Sequence, residues 1–95
     1  MKVRNIYYDE GFEKEFLNLP VHIQKKAVKA ETLFKNNSFH PSLRVHKLKG
    51  KLFGAWSISV DMQYRIIFKP CDNGDILFAS VGTHAIYEDG FIGRI

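Results

Sequence analysis

Six side chains in this sequence have the types and spacing to do chemistry together: His46 and His84, Arg65, and the alternating Lys47, Lys49 and Lys51. Cleavage of RNA by its own 2′-hydroxyl needs a base for that proton, an acid for the departing 5′-oxygen, and positive charge on the phosphate as it gains a fifth ligand. Imidazole titrates near ~6.5 and so can accept or donate a proton at cellular pH, while a planar guanidinium grips two phosphate oxygens at once. His46, Arg65 and His84 are therefore the candidate catalytic residues, and the set calls for no metal or other cofactor. The three lysines alternate with Leu48 and Leu52 and project opposite those leucines, either along an RNA backbone or as a solvated strand edge. Tyr87, three residues beyond His84, either stacks on a base or caps the core. His22 and His40 lack comparable surroundings.

The elements that must position these groups read as follows. Lys2 to Tyr8 alternates around Val3 and Ile6 as a first strand. Asp9 is a helix N-cap, with Glu10 and Glu13 in the first turn and Phe12 and Phe16 on one face of a helix ending near Asn18. Pro20 suits the first turn of a second helix, in which Ile23, Ala27, Ala30 and Phe34 form one apolar face as far as about Asn36. Lys25, Lys26 and Lys29 make its solvated face.

Four strands follow a loop, near Arg44 to Lys49, Ala55 to Asp61, Gln63 to Lys69 and Asp75 to Gly82. Trp56, Ile58 and Val60 share one face of the second of these, leaving Ser57, Ser59 and Asp61 on the other. Tyr64, Ile66 and Phe68 point into the core, so Arg65 faces outward with Ile67 and Lys69. Asn73-Gly74 marks a hairpin turn, and the nearly continuous apolar run Ile76 to Val81 reads as a central strand covered on both faces. The expected fold is α+β: two N-terminal helices on one face of a small, mainly antiparallel meander sheet, in the order β-α-α-β-β-β-β, with the first strand at an edge or beside the last.

At 95 residues there is room for one domain, and 45% apolar residues, with eight Phe, suffice for a modest core. The single cysteine, Cys71, permits no internal disulfide and has no partners spaced for zinc. No segment reads as a signal peptide or a membrane span, so a cytoplasmic protein is expected. The net charge of +4 favours an anionic partner.

With these residues in place, the chain resembles the RelE/ParE toxin superfamily of type II toxin–antitoxin pairs, nearly from end to end. The resemblance is carried by Leu48-Lys49-Gly50 leading to Gly54-Ala55-Trp56-Ser57, by Tyr64-Arg65-Ile66-Ile67-Phe68 and by Gly82-Thr83-His84. Within the superfamily it looks closest to the YafQ-like and YoeB-like ribosome-dependent mRNA endonucleases. That resemblance implies a translation-inhibiting toxin with His46, Arg65 and His84 at the catalytic site and Tyr87 as the aromatic that follows the histidine. It also implies an acidic, partly disordered antitoxin as partner, along with the ribosome and mRNA. Two departures stand out. Ser57 and Ser59 occupy positions where RelE itself carries lysines and the YoeB-like branch arginines, so that role is either missing or transferred to Lys47, Lys49 and Lys51. Gln63 replaces an aspartate, leaving nearby Asp61 as a possible accessory group. Phe91 and Ile92, in a tail beyond Tyr87, are expected to pack back onto the sheet. Two other functions fit the same fold: a ParE-like gyrase inhibitor, against which the paired histidines weigh, and a catalytically inactive relative that binds RNA or antitoxin.

Overall fold

Asp9 opens helix α1 (Glu10–Leu17) by accepting a hydrogen bond from the Gly11 N–H at 2.8 Å. The computed structural model describes residues 1–87. Pro20 stands immediately before helix α2 (Val21–Asn36), as its N-cap rather than its first-turn residue, and its carbonyl accepts from the Ile23 and Gln24 N–H groups. Gln24 Nε2 reaches back to the carbonyls of Phe16, Leu17 and Leu19 at 3.1, 3.3 and 3.2 Å, tying α2 to the end of α1 and the residues just after it. Ile23, Ala27, Ala30 and Phe34 are the buried face of α2, as their spacing requires.

Five strands form one sheet: β1 (Ile6–Tyr8), β2 (His46–Lys47), β3 (Trp56–Ser59), β4 (Arg65–Pro70) and β5 (Ile76–Gly82), in the spatial order β1-β5-β4-β3-β2. Among the described residues only the β1–β5 pair is parallel. The first strand therefore lies both at an edge and beside the last, and the α+β arrangement holds. β1 and β2 are shorter than their sequence patterns. Arg4 already leaves the ladder to donate to Gly74 O, and Arg44 takes a left-handed φ of 47° just before β2.

A bulge in β5 decides what the sheet buries. Ile67 pairs with Ser80 but Phe68 pairs with Phe78, so the register shifts by one residue across Ala79. Without the extra residue, Phe78 and Val81, three apart, would face opposite ways; with it, both enter the core beneath the helices. Glu15 of α1 secures the bulge, accepting from Ser80 Oγ at 2.9 Å and from the Val81 N–H at 3.2 Å.

The main core lies between the helices and the sheet, where Phe12, Phe34, Leu43, Ile58, Ile66, Phe68 and Phe78 pack together, with Trp56 half-buried at its margin. The other face was expected to be open at Ile67. Instead Ile67 is 0% exposed, because Leu52 and Ile86 fold over it and Ala79 from two 3₁₀ turns, Gly50–Leu52 and His84–Tyr87. The alternation of β4 is right, but a second small core covers its outward side. Phe91 and Ile92, expected on the sheet, lie outside the described residues.

A Cβ at Gly82 would stand 2.6 Å from Ile86 Cγ2, so the last turn sits on the sheet only because residue 82 has no side chain. Gly82→Ala should lower stability by about 1–3 kcal/mol in urea unfolding, and adding Ile86→Ala should reduce the penalty of the clash. A second expectation concerns Tyr8, whose hydroxyl donates to the Glu31 carboxylate. Burial first, and Glu31 second, push its pKa from the ordinary 10.0 up to about 12. The folded state thus holds this proton more tightly than the unfolded chain does, a contribution fully present below pH 10 and lost between pH 10 and about 12. Alkaline melts should show that loss, and Tyr8→Phe should remove its pH dependence.

Candidate functional site

The sheet face turned away from the helices presents His46 from β2, the outward residues of the strand that begins at Arg65, and the 3₁₀ turn that carries His84. His46 pairs with Ser57 across β2–β3, and Ser57 pairs in turn with Ile67 across β3–β4, so the three form one row. Ser57 is 0% exposed, and its hydroxyl hydrogen-bonds the Tyr87 hydroxyl at 2.9 Å. Tyr87 in turn meets the His84 ring edge-on, with centroids 5.7 Å apart and planes at 62°. The structure therefore gathers His46, Ser57, Tyr87 and His84 around one patch, with both histidines exposed. Ser57 was read only as a lost cation; its part as Tyr87's partner depends on a contact spanning 30 residues, which no local pattern reveals.

The orientation of His46 is set by Arg44. His46 Nδ1 lies 3.0 Å from Arg44 O, and since a carbonyl can only accept, Nδ1 carries the proton. In the neutral ring Nε2 is then the free lone pair, the form a general base requires.

Arg65 pairs with Ser59 on one side and Gly82 on the other, so its strand position lies two residues along from Ile67 and beside the root of the His84 turn. Its side chain is half-buried rather than fully outward, and Nη1 donates to Asp61 O at 2.5 Å and Tyr64 O at 3.1 Å. Asp61 organises the same hairpin, its Oδ1 accepting from the N–H groups of Gln63 at 2.9 Å and Tyr64 at 2.8 Å. Its other oxygen meets Lys26 Nζ at 3.4 Å. Partial burial pushes the Asp61 carboxyl up, but those two N–H groups and Lys26 outweigh it and hold the pKa below the usual carboxylate range.

The three lysines do not form the single row that their alternation suggested. The strand ends at Lys47, and Lys49 and Lys51 belong to the 3₁₀ turn that follows. Lys47 pairs with Trp56, not Ser57, and its Nζ lies 5.4 Å from the Trp56 ring centroid, on the opposite side of the sheet from His46. A groove of about 300 Å³ lined by Tyr8, Phe12, Phe16, Leu17, Val28 and Glu31 lies between the helices and β1, away from both candidate histidines and Arg65. Among the described residues no cluster of His, Cys, Asp and Glu could hold a metal ion, and no helix is long and apolar enough to cross a membrane.

This architecture is the fold of the RelE/ParE toxins. It superposes on YafQ from Escherichia coli with a TM-score of 0.74 at 22% identity, covering 90% of this chain and 98% of that one. A YoeB/ParE toxin from Agrobacterium tumefaciens gives 0.72 at 14% identity, over 85% and 99% of the two chains. The E. coli DinJ–YafQ toxin–antitoxin complex gives 0.72 at 24% identity, over 90% and 97%. No protein-family model and no curated protein sequence matches the chain.

If the Ser57–Tyr87 hydrogen bond holds the last turn in place, Ser57→Ala and Tyr87→Phe should each destabilise the protein. A double-mutant cycle in urea should give a coupling of about 1 kcal/mol; additive effects would show that the two hydroxyls do not depend on one another.

Proposed function

We propose that this protein is the toxin of a type II toxin–antitoxin pair and a metal-free endoribonuclease that cuts mRNA on the ribosome, in the cytoplasm. The observation that carries the reading is the convergence of His46, Tyr87 and His84 around buried Ser57, with the Nε2 of His46 left free. The shared fold with YafQ and YoeB/ParE toxins supports the toxin assignment, and the DinJ–YafQ complex supports an antitoxin as protein partner.

In this mechanism His46 Nε2 takes the proton of the 2′-hydroxyl, whose oxygen attacks the neighbouring phosphorus. His84, protonated, gives its proton to the 5′-oxygen as the P–O bond breaks, leaving a 2′,3′-cyclic phosphate and a 5′-hydroxyl. Arg65 faces the charge that builds on the phosphate. β2 and β4 are two strand spacings apart, roughly 10 Å, so a phosphodiester seated over Ser57 and Tyr87 is within reach of both long side chains. Tyr87 is placed to stack on a neighbouring base, and Lys47, Lys49 and Lys51 to meet backbone phosphates. Asp61 acts through the hairpin that carries Arg65 rather than on the RNA.

One observation favours a second reading. Arg65 Nη1 is engaged by two hairpin carbonyls, and buried Ser57 and Ser59 stand where cations were expected, as suits a relative that binds RNA or antitoxin without cutting.

Primer extension on an mRNA under translation in a purified system separates these readings. Wild-type protein should create new 5′ ends in the ribosomal A-site codon, and His84→Ala or His46→Ala should reduce them about 100-fold or more, as should omission of ribosomes. Absence of cleavage by the wild type would overturn the nuclease assignment; growth inhibition that persists in His84→Ala would point to gyrase instead.

A further inference from the structure

We propose that the β2 edge of the sheet is a single-strand RNA track that runs from the face carrying His46 around to the face carrying Lys47, taking unpaired bases on Phe53 and Phe39 while Lys47, Lys49 and Lys51 hold its phosphates. It relies on the function above only for the class of ligand.

Charge is the first observation. Between Thr32 and Val60 the chain has five Lys or Arg and no Asp or Glu; the remaining nine basic residues face ten acidic ones. The whole positive excess of the protein therefore lies in one segment, from the end of α2 through β3, and four of its five cations, Arg44, Lys47, Lys49 and Lys51, lie in or beside β2 and the turn after it. An acidic polymer meets no like charge along it.

The second observation is where that segment puts its aromatic rings. Phe53 is 85% exposed, although it is flanked on one side by Leu52, which is buried against Ile67 and Ile86. The turn that separates the two is closed by hydrogen bonds from Leu52 N–H to Lys49 O at 3.3 Å, Phe53 N–H to Gly50 O at 3.1 Å and Ala55 N–H to Leu52 O at 3.0 Å. Gly54 follows with a φ of 96°, a conformation that costs glycine little and lets the chain re-enter the sheet at once. Phe53 is thus held out from the surface by a fixed turn, between lysines, rather than left on a loose loop. Phe39, 55% exposed, leans edge-on against Trp56 with centroids 6.4 Å apart, and Trp56 carries Lys47 above its ring. Rings with open faces interleaved with cations on a common backbone are what a sequence-tolerant single-strand site uses, since every base offers a face to stack and every nucleotide a phosphate.

The third observation is that the edge presents these groups on both of its sides, since the Phe53 turn is anchored by Leu52 over Ile67, on the side of His46. His46 and Lys47 are neighbours on a strand and project to opposite sides of the sheet, as their partners Ser57 and Trp56 show. RNA held at Lys47 and Trp56 is accordingly held around the edge from His46.

The test uses the full chain carrying His84→Ala, so that binding is read without cleavage. A fluorescein-labelled oligouridylate of ~12 nucleotides is titrated by anisotropy, alongside a duplex RNA of equal length and an acidic peptide. Phe53→Ala should weaken single-strand binding about ten-fold, and Phe53→Tyr should restore it to within about two-fold. Each of Lys47→Gln, Lys49→Gln and Lys51→Gln should flatten the plot of log affinity against log salt by about 0.7. Trp56, the single tryptophan, should change its emission on binding. Equal affinity of the His84→Ala chain with and without Phe53→Ala for the single strand would overturn the proposal. So would a Phe53→Ala defect confined to the acidic peptide, which would make this edge a protein interface. RNA binding that needs Phe53, in a protein whose wild type cuts nothing, would sustain this site and remove the nuclease; cleavage and binding both indifferent to Phe53 would do the reverse.

Discussion

Everything on the face that carries the candidate site rests on the burial of Ile67. A side chain on the outward side of a central strand has to be covered, and Leu52 and Ile86 do so from turns on either side of it. Each cover is also the anchor of a functional segment. Leu52 fixes the turn that carries Lys49, Lys51 and Phe53, and Ile86 fixes the turn that carries His84 and Tyr87. The burial of a few apolar groups, each methylene worth about 0.8 kcal/mol, thereby sets the position of polar groups separated by more than thirty residues in the chain.

Much of this was legible in the residues. The buried face of α2 follows from Ile23, Ala27, Ala30 and Phe34, since helical periodicity is a local property. The Asp9 cap and the facing of Ile58 and Phe68 follow for the same reason. Ile67 was not legible as a buried residue, because its parity is a local fact and its cover comes from elsewhere. The lysine row failed on a related ground: Lys47, Lys49 and Lys51 do alternate, but the strand that would give alternation its meaning stops at Lys47. The two histidines were singled out for their residue type and come together on one patch. Ser57 had no such signal, since a serine's significance lies wholly in what it touches.

Two polar arrangements compete for Arg65. Its guanidinium closes the β3–β4 hairpin through two carbonyls, and the Asp61 turn beside it is tied to α2 by Lys26. The ion pair is partly exposed and contributes little by itself, whereas the two N–H groups held by Asp61 are the contacts that shape the turn. A phosphate entering the site would thus meet an arginine already in place, with donors other than Nη1 outside those two hydrogen bonds.

Arg44 carries a different kind of consequence. Among the described residues it is one of two non-glycines with a positive φ, a backbone state that costs an L-residue roughly 1–2 kcal/mol, and its carbonyl fixes the tautomer of His46. Glycine at this position would relieve the strain while loosening the oxygen on which that imidazole depends. Under the proposed function, thermal resistance and turnover would then move in opposite directions at a single residue, which makes position 44 a place where selection for a sturdier protein would work against a faster one.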